Sequence, residues 1–367
     1  MGRDRLLNPD ISKALHFKTT QTKKGFSVSL TGAFEAEPCE LRFPERIWEA
    51  FPGKKALMNE LAYICTLPTP AILKYPAVAY NTPKPAFFDF YHHCFNQAIP
   101  NLVEEISSEK ADTVHHRFNS IYRRFSVEKS DDRLPAIQGW DKKTVVLPFS
   151  FGKDSLLTLG TLKKLGYRVI LVKIDERVLP RGQAIKKKMA KRMKTQFGFH
   201  CHTVENEIQL LCDYQVLERP ETRLHQVHIY FVYFLALIPF CYYYQAPLIV
   251  FNNEFHHNLM RLHKDDYLCC HRYMQSREAV RGFADMTEEL TASQVSIGNL
   301  IGVLDNFAIH RILHEKFPHL GQYQVSCHME MNEYKQWCHG CYRCARAFVF
   351  FLAMGIDPFK MGFETSM

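Results

Sequence analysis

The chain has 367 residues, of which 47% are hydrophobic and 23% charged, which excludes a disordered chain and allows one large or two smaller domains. The net charge of +8 permits an acidic or phosphate-rich partner without requiring one. The first residues, MGRDRLLNPDISKAL, lack the apolar run of a secretory signal, so we expect a cytoplasmic protein whose twelve cysteines are mostly reduced.

The N-terminal part of the chain shows no regular alternation of strands and helices. Its patterns predict an alternating strand, the start of a short helix and a helix-rich stretch, at 26–34, 41–51 and 82–106. A polar segment, 127–143, then marks a boundary. We therefore predict an N-terminal α+β accessory domain over 1–140 and a second domain over 141–367.

From Thr144 onward the sequence alternates between apolar strand patterns and helical patterns. Strands are predicted at 144–149, 167–175, 199–205, 247–254 and 322–327. Helices are predicted after Gly152, where leucines recur at helical spacing until Gly166, and over 177–194, 224–244 and 294–317. This order predicts an α/β fold with a doubly wound, mainly parallel sheet, in which ligands bind at the carboxyl ends of the strands.

The most apolar segment, 227–251, is long enough to be considered as a membrane span. Pro239 and Pro247 interrupt it, and its second half is a short β-rich run. This pattern favours a buried helix followed by a buried strand, so we expect no membrane partner.

One segment, 177–194, is strongly basic. Its positive residues are Arg177, Arg181, Lys186, Lys187, Lys188, Lys191, Arg192 and Lys194. Such a run is typical of the solvated face of a helix, and no aromatic residues lie among the basic ones to stack on bases. A nucleic-acid partner stays open but is not favoured.

The turn at 150–155, SFGKDS, follows the first predicted strand of the second domain and opens a helix. The first backbone N–H groups of a helix lack intrahelical partners and lie at the positive end of its dipole, so they attract anions. Gly152 permits close backbone approach, Ser150 and Ser155 supply hydroxyl groups, and Lys153 adds a positive charge. The turn is predicted to bind phosphate.

Four residues of this turn, Ser150, Gly152, Asp154 and Ser155, resemble the Ser-Gly-Gly-x-Asp-Ser loop of the PP-loop ATP pyrophosphatases. These adenylating enzymes of the HUP-like fold include asparagine and GMP synthetases and cyano-deazaguanine synthase. Phe151 replaces the first glycine of the motif. We expect the loop to function if Phe151 has an ordinary extended backbone and a ring turned into the core.

The resemblance implies that the protein uses ATP and Mg²⁺ to adenylate a small-molecule carboxylate, releasing AMP and pyrophosphate. Lys153 and Asp154 are the implied catalytic residues, with Asp154 holding Mg²⁺ or positioning the loop. The implied nucleotide-binding residues are Ser150, Phe151, Gly152, Lys153, Asp154, Ser155 and Asp175. Asp175 ends the second strand, where it meets the sugar or base of the nucleotide or caps a helix.

Two further groups of residues are predicted to bind the substrate. The first follows the fourth strand and consists of Asn252, Asn253, Glu254 and Asn258. The second is implied by the resemblance and consists of Arg272, Ser276 and Arg277, since arginine holds carboxylates in a bidentate fork. His256 and His257 receive no role, because adjacent side chains are not expected to face inward together.

A cysteine cluster, Cys327-x10-Cys338-x2-Cys341-x2-Cys344, lies near the C-terminus. Its spacing predicts a four-cysteine site that holds Zn²⁺ and pins the C-terminal tail to the end of the last strand. An iron–sulfur cluster stays open as an alternative. The arrangement resembles the C-terminal zinc site of cyano-deazaguanine synthase.

Patterns at 272–278 and 337–358 also resemble the PP-loop enzymes that epimerise the terminal L-glutamate of UDP-muramyl dipeptide. The implied function is that of an ATP pyrophosphatase, either an adenylate-forming ligase or an epimerase. Two alternatives stay open: a tRNA-modifying PP-loop enzyme of the thiolation type, and a non-catalytic nucleotide-binding module. A homodimer also stays open.

Overall fold

The computed structural model describes residues 14–32, 34–106, 108–127, 133–136, 139–176, 180–213, 215–222, 224, 228–262, 266–270, 272–327 and 335–367. Arg177, one of the predicted basic residues, lies outside these ranges. Within them, no helix is both long and apolar enough to cross a membrane.

Ten of the strands in the described ranges form one sheet. They are β1 (Leu15–Thr22), β2 (Gly25–Gly32), β3 (Ala36–Arg42), β4 (Ala77–Tyr80), β5 (Tyr122–Arg124), β6 (Thr144–Pro148), β7 (Arg168–Glu176), β8 (Cys201–Asn206), β9 (Leu248–Phe251) and β12 (Ser296–Asn299). Their order is β12-β9-β6-β7-β8-β3-β2-β1-β4-β5. The strands β10 (Met260–Leu262) and β11 (Leu268–Cys270) pair separately.

Helices cover this sheet and connect its strands. The N-terminal ones are α1 (Glu45–Ala50), α2 (Lys54–Thr66), α3 (Thr69–Leu73), α4 (Phe88–Ile106) and α5 (Ala111–Ser120). The later ones are α6 (Lys153–Lys164), α7 (Pro180–Phe197), α8 (Ile229–Leu235), α9 (Ile238–Tyr244), α10 (Arg277–Leu290), α11 (Asn306–Lys316), α12 (Pro318–Gly321) and α13 (Tyr342–Ala353).

The five strands β12, β9, β6, β7 and β8 are parallel throughout. The chain enters this half of the sheet at β6, extends it to one side with β7 and β8, and then crosses to the other side with β9 and β12. The order therefore reverses beside β6, which is where doubly wound sheets bind ligands. The predicted α/β class with a large, mainly parallel sheet is confirmed.

The central strands β6 and β9 are buried on both faces, as their continuous apolar runs require. In β6, Val145 and Leu147 pack into one hydrophobic cluster, which also contains residues of α6, α7 and α11. Val146 packs on the opposite face into a second cluster, which includes α8, α9 and the N-terminal helices. Alternate residues of one strand thus anchor the central strand from both sides.

Three predicted elements differ from the structure. The helix predicted over 294–317 begins instead with the strand β12, and α11 starts only after Asp305, whose carboxylate accepts a hydrogen bond from the Ala308 N–H. Segment 322–327 is not a strand, because β12 takes the place beside β9 and the Val325 N–H bonds to the Phe151 carbonyl. The helix predicted over 224–244 is divided into α8 and α9, with a proline opening α9.

The N-terminal strands extend the same sheet. Antiparallel pairing of β3 with β8 places Leu41 beside Asn206 and Arg42 beside Glu205. The Arg42 guanidinium also forms ion pairs with Glu205 and Glu207, at 2.8 and 2.9 Å. The hydrophobic cluster on one face continues across this junction. The division into domains at residue 140 stays a prediction.

Helix α7 carries the basic segment. Its residues Ile185, Met189 and Met193, spaced four apart, are buried against the sheet. The basic residues on the other faces are exposed, namely Lys187, Lys188, Lys191, Arg192 and Lys194. This distribution is that of an amphipathic helix with a solvated basic face.

A buried carboxyl group in α2 gives the stability a pH dependence. Glu60 is 3% exposed, and it accepts hydrogen bonds from the Ala86 N–H at 2.7 Å and the Tyr91 hydroxyl at 2.6 Å. Burial raises the pKa of Glu60 from 4.5 to about 7, although these hydrogen bonds oppose the shift. Between these values the folded chain keeps a proton that the unfolded chain has lost.

We therefore expect Glu60 to lower the free energy of unfolding by about 3 kcal/mol as pH rises from 4.5 to 7. Glu60→Gln should remove this loss, because the amide stays neutral and can both accept from Ala86 and donate to Tyr91. Urea unfolding of wild type and variant at about pH 5 and pH 8 measures the difference. Equal pH slopes for the two proteins would contradict the assignment.

Candidate functional site

The turn at 150–152 links the central strand β6 to α6. The Gly152 N–H donates to the Ser150 hydroxyl at 3.3 Å, and the Ser155 hydroxyl donates to the Gly152 carbonyl at 3.0 Å. The two serines therefore fix the shape of the turn. Gly152 is the N-cap residue of α6, and no side chain caps the helix. The first N–H groups of α6 remain suited to an anionic ligand.

Phe151 has a left-handed backbone, with φ at 63°, so it does not have the extended conformation that the function of the loop was expected to require. Its ring is fully buried and packs edge-on against Phe149 at 4.7 Å, so the second requirement, a ring turned into the core, is met. Its carbonyl accepts the Val325 N–H at 2.8 Å. This backbone costs a residue with a Cβ about 1–2 kcal/mol, and burial of the ring offsets that cost. The turn thus keeps the conformation that glycine favours.

We expect Phe151→Gly to be more stable than Phe151→Ala by about 1 kcal/mol, because both lose the ring but only glycine adopts this φ without strain. Both variants should be less stable than wild type by about 2–5 kcal/mol. Urea unfolding gives the three free energies. Phe149, which is also buried but has no positive φ, is the matched control.

Phe149→Ala should be at least as stable as Phe149→Gly. Glycine relieves no backbone strain at this position, and it increases the conformational entropy of the unfolded chain. The same order of stabilities at both positions would contradict the proposed strain at Phe151.

The turn opens into a cavity of about 530 Å³, a volume within the usual range for small-molecule sites. The carboxyl ends of β6, β7 and β9 form one side of it. The charged and histidine residues that line the cavity are Lys153, Asp154, Lys173, Glu176, Lys186, Glu254, His256, His257, Arg272, His310, Arg343 and Arg346.

Lys153 lies at the centre of a buried polar network. Its ammonium group contacts Asp154 at 2.6 Å and Glu254 at 2.9 Å, and its side chain is 7% exposed. The Asn306 amide donates to the same Glu254 oxygen at 2.9 Å. One cation thus joins the carboxylates that follow two neighbouring strands.

The two carboxylates in this network have opposite pKa shifts. Desolvation raises the pKa of Asp154, and the positive charge of Lys153 only partly opposes it. Burial also acts to raise the pKa of Glu254, but the charge and hydrogen bond of Lys153 outweigh it and lower the pKa overall. A further cation beside Asp154 would therefore be stabilising.

Most predicted nucleotide and substrate residues converge on this cavity. Those that line it are Ser150, Gly152, Lys153, Asp154, Asn252, Asn253, Glu254 and Arg272. The Asn252 amide also donates to the Pro148 carbonyl at 3.1 Å, which ties the ends of β9 and β6 together. Phe151 and Ser155 are buried beneath the turn and support it.

Four predicted site residues lie elsewhere. The carboxylate of Asp175 contacts Lys173 at 3.2 Å and Lys187 at 3.6 Å, and Glu176 rather than Asp175 lines the cavity. Asn258, Ser276 and Arg277 line a second cavity of about 570 Å³. Ser276 is also the N-cap of α10, where its hydroxyl accepts the Ala279 N–H at 3.2 Å.

Several residues in the cavity were not predicted. His256 and His257 both line it from a short 3-10 turn, Phe255–Asn258, in which His256 is exposed and His257 half-buried. Tyr233 donates a hydrogen bond to Glu176. Asn306 and His310 are four residues apart on α11, a spacing that places them on one helix face.

The sulfur atoms of Cys327, Cys338, Cys341 and Cys344 all lie within 4.8 Å of one another. The sulfur of Cys344 is 3.8 Å from that of Cys338 and 3.4 Å from that of Cys341. Tetrahedral coordination at about 2.3 Å places sulfurs roughly 3.8 Å apart, so the four thiols fit a single metal ion. The cluster can hold an ion such as zinc.

The cluster connects the C-terminal helix to the cavity. Cys341 is the N-cap residue of α13, and Cys344 lies in the first turn of that helix. Cys327 itself lines the cavity. The end of segment 322–327, rather than a strand, therefore supplies the first cysteine.

No known protein-family model matches the chain, and no curated protein matches it at a significant level.

Proposed function

We propose that the protein is an ATP pyrophosphatase of the PP-loop type that adenylates a small-molecule carboxylate. The observation that carries this proposal is the turn at 150–155, which ends the central strand with a glycine-like backbone at Phe151 and opens into the cavity. Such a turn, at the point where the strand order reverses, is suited to the pyrophosphate end of a nucleotide.

In this proposal the chain acts by positioning and by neutralising charge. The N–H groups at the start of α6 and the Ser150 hydroxyl bind the β- and γ-phosphates. An oxygen of the substrate carboxylate attacks the α-phosphorus, the bond to the β-phosphate oxygen breaks, and pyrophosphate leaves. The products are an acyl adenylate and pyrophosphate, and transfer of the acyl group then releases AMP.

Asp154 and Glu254 are the residues that would hold Mg²⁺, whose charge stabilises the departing pyrophosphate. Lys153 links these two carboxylates in the structure at 2.6 and 2.9 Å. Mg²⁺ held by these carboxylates would leave the Lys153 ammonium free to contact the phosphates. The raised pKa of Asp154 supports this role, since it marks a carboxylate that lacks sufficient positive charge.

The experiment is product analysis of ATP turnover, with AMP, ADP and pyrophosphate detected separately. The panel contains amino acids, UDP-muramyl peptides and deazapurine carboxylates. Each acid is also incubated with ATP and hydroxylamine, which accepts the acyl group of an acyl adenylate. We expect AMP and pyrophosphate in equal amounts with one class of acid. ADP as the product, or bound ATP without turnover for every acid, would overturn the proposal.

A further inference from the structure

Three arginines line the cavity away from the turn at 150–155. Arg343 and Arg346 lie three residues apart on α13, and Arg272 precedes α10. Within the described parts of the chain, no ion pair joins any of these three guanidinium groups to a carboxylate. Among the described residues, their positive charge at the cavity is therefore not neutralised by an ion pair.

The two arginines of α13 are held close together. Both guanidinium groups lie over the ring of Tyr342, at 5.8 and 5.9 Å from its centre, and the Arg343 Nε donates to the Tyr342 hydroxyl at 3.0 Å. Like charges on one helix face repel each other, so an anion bound between them would stabilise this arrangement. Arginine forks are well suited to carboxylate and phosphate groups.

The arginines extend along the cavity wall. Burial raises the pKa of Tyr230 to about 12, while the charges of Arg272 and Arg343 both oppose that shift, so both act on this one phenol. Burial lowers the pKa of His310 to about 2, and the positive charges of Lys153 and Arg346 contribute to this shift. The arginines therefore lie near Tyr230 and His310, which line the same cavity as Lys153.

The cysteine cluster fixes this wall. Arg343 lies between Cys341 and Cys344 in the sequence, within the first turn of α13, and Cys327 lines the same cavity. A metal ion that joins these sulfurs would hold the start of α13, the helix that carries both arginines.

We propose that Arg272, Arg343 and Arg346 form an anion subsite for a second acidic group of the substrate, and that the metal of the cysteine cluster positions two of them. The substrate is then an acid with at least two anionic groups, one activated at the turn and one held by the arginines. This identity of the occupant rests on the proposed function, but the subsite can be tested without turnover.

The test is calorimetric titration of the metal-loaded protein, saturated with a non-hydrolysable ATP analogue, with glutarate and with inorganic phosphate. Butyrate, with one carboxylate, serves as the reference ligand. We expect glutarate and phosphate to bind, and Arg343→Gln and Arg346→Gln each to weaken them about tenfold or more. Arg343→Lys should give an intermediate loss. Arg311→Gln, an exposed arginine on α11, is the matched control and should change nothing.

Several outcomes would overturn the subsite. The first is that neither anion binds, and the second is that the arginine variants bind the anions as tightly as wild type does. The third is that the arginine variants lose as much affinity for the ATP analogue as for the anions, which would assign the arginines to the nucleotide. Removal of the metal with a chelator should weaken the anions as much as the double arginine substitution does, and unchanged binding would refute metal positioning. If the nucleotide analogue does not bind, the titration is repeated without it. Glutarate and phosphate should then bind to Ser150→Ala as they do to wild type, because the arginine subsite does not include the turn at 150–155.

Discussion

Asp154→Asn is expected to lower the rate of AMP and pyrophosphate release at least about a thousandfold, since it removes a charge worth several kcal/mol at the departing pyrophosphate. The amide keeps the size of the side chain but cannot compensate the positive charges of a metal ion and Lys153. The fold should be retained, because desolvation already disfavours the charged form of Asp154. Release of pyrophosphate in a coupled assay measures the effect.

The matched control is Asp285→Asn, which makes the same change at an exposed position of α10. Its rate should remain within about twofold of wild type, as expected for a surface substitution. A loss of less than about tenfold in Asp154→Asn, with its thermal unfolding unchanged, would remove Asp154 from the catalytic machinery.

Cys344→Ala is expected to release the bound metal and to destabilise the protein by at least about 5 kcal/mol, as loss of a structural metal ligand usually does. Cys344 is completely buried, and its sulfur lies 3.8 and 3.4 Å from two other thiols. The C-terminal tail depends on the same cluster. Trp337 stacks on Phe363 at 4.6 Å and donates a hydrogen bond to the Met361 carbonyl at 2.8 Å.

Metal analysis and urea unfolding of the purified protein test this prediction. Cys241→Ala removes an equally buried thiol from the main core and is the matched control. It should retain the metal and lose only about 1–2 kcal/mol of stability. Equal metal content in the two variants would contradict the four-cysteine site. Iron with visible absorbance in the wild-type protein would show that the cysteines hold an iron–sulfur cluster and not zinc.

The sequence alone determined the features that depend on local patterns. The apolar runs of β6, β7 and β9 predicted three strands of the parallel sheet, because such runs are typical of strands buried on both faces. The strand β8 was predicted from the segment that follows the basic helix. The spacing of the cysteines predicted their convergence, since two residues between cysteines suit a tight turn around one ion. The turn at 150–155 was also predicted from the sequence, because its glycine, serines and lysine precede or open a helix, whose N-terminus attracts anions.

The tertiary structure decided which distant residues meet. Arg343, Arg346 and His310 carry no motif, and they reach the cavity only because α11 and α13 pack beside the end of β6. The structure also shows Asp175 paired with Lys173 outside the cavity and Ser276 capping α10.

The position of β12 and the backbone of Phe151 were likewise fixed by long-range contacts. The sheet offers a place beside β9 that a short segment, Ser296–Asn299, fills although it lies within a stretch of helical pattern. Burial of the Phe151 ring and the bond from Val325 hold a conformation that phenylalanine seldom adopts alone. Local propensities are worth less than about 1 kcal/mol per residue, so such contacts override them.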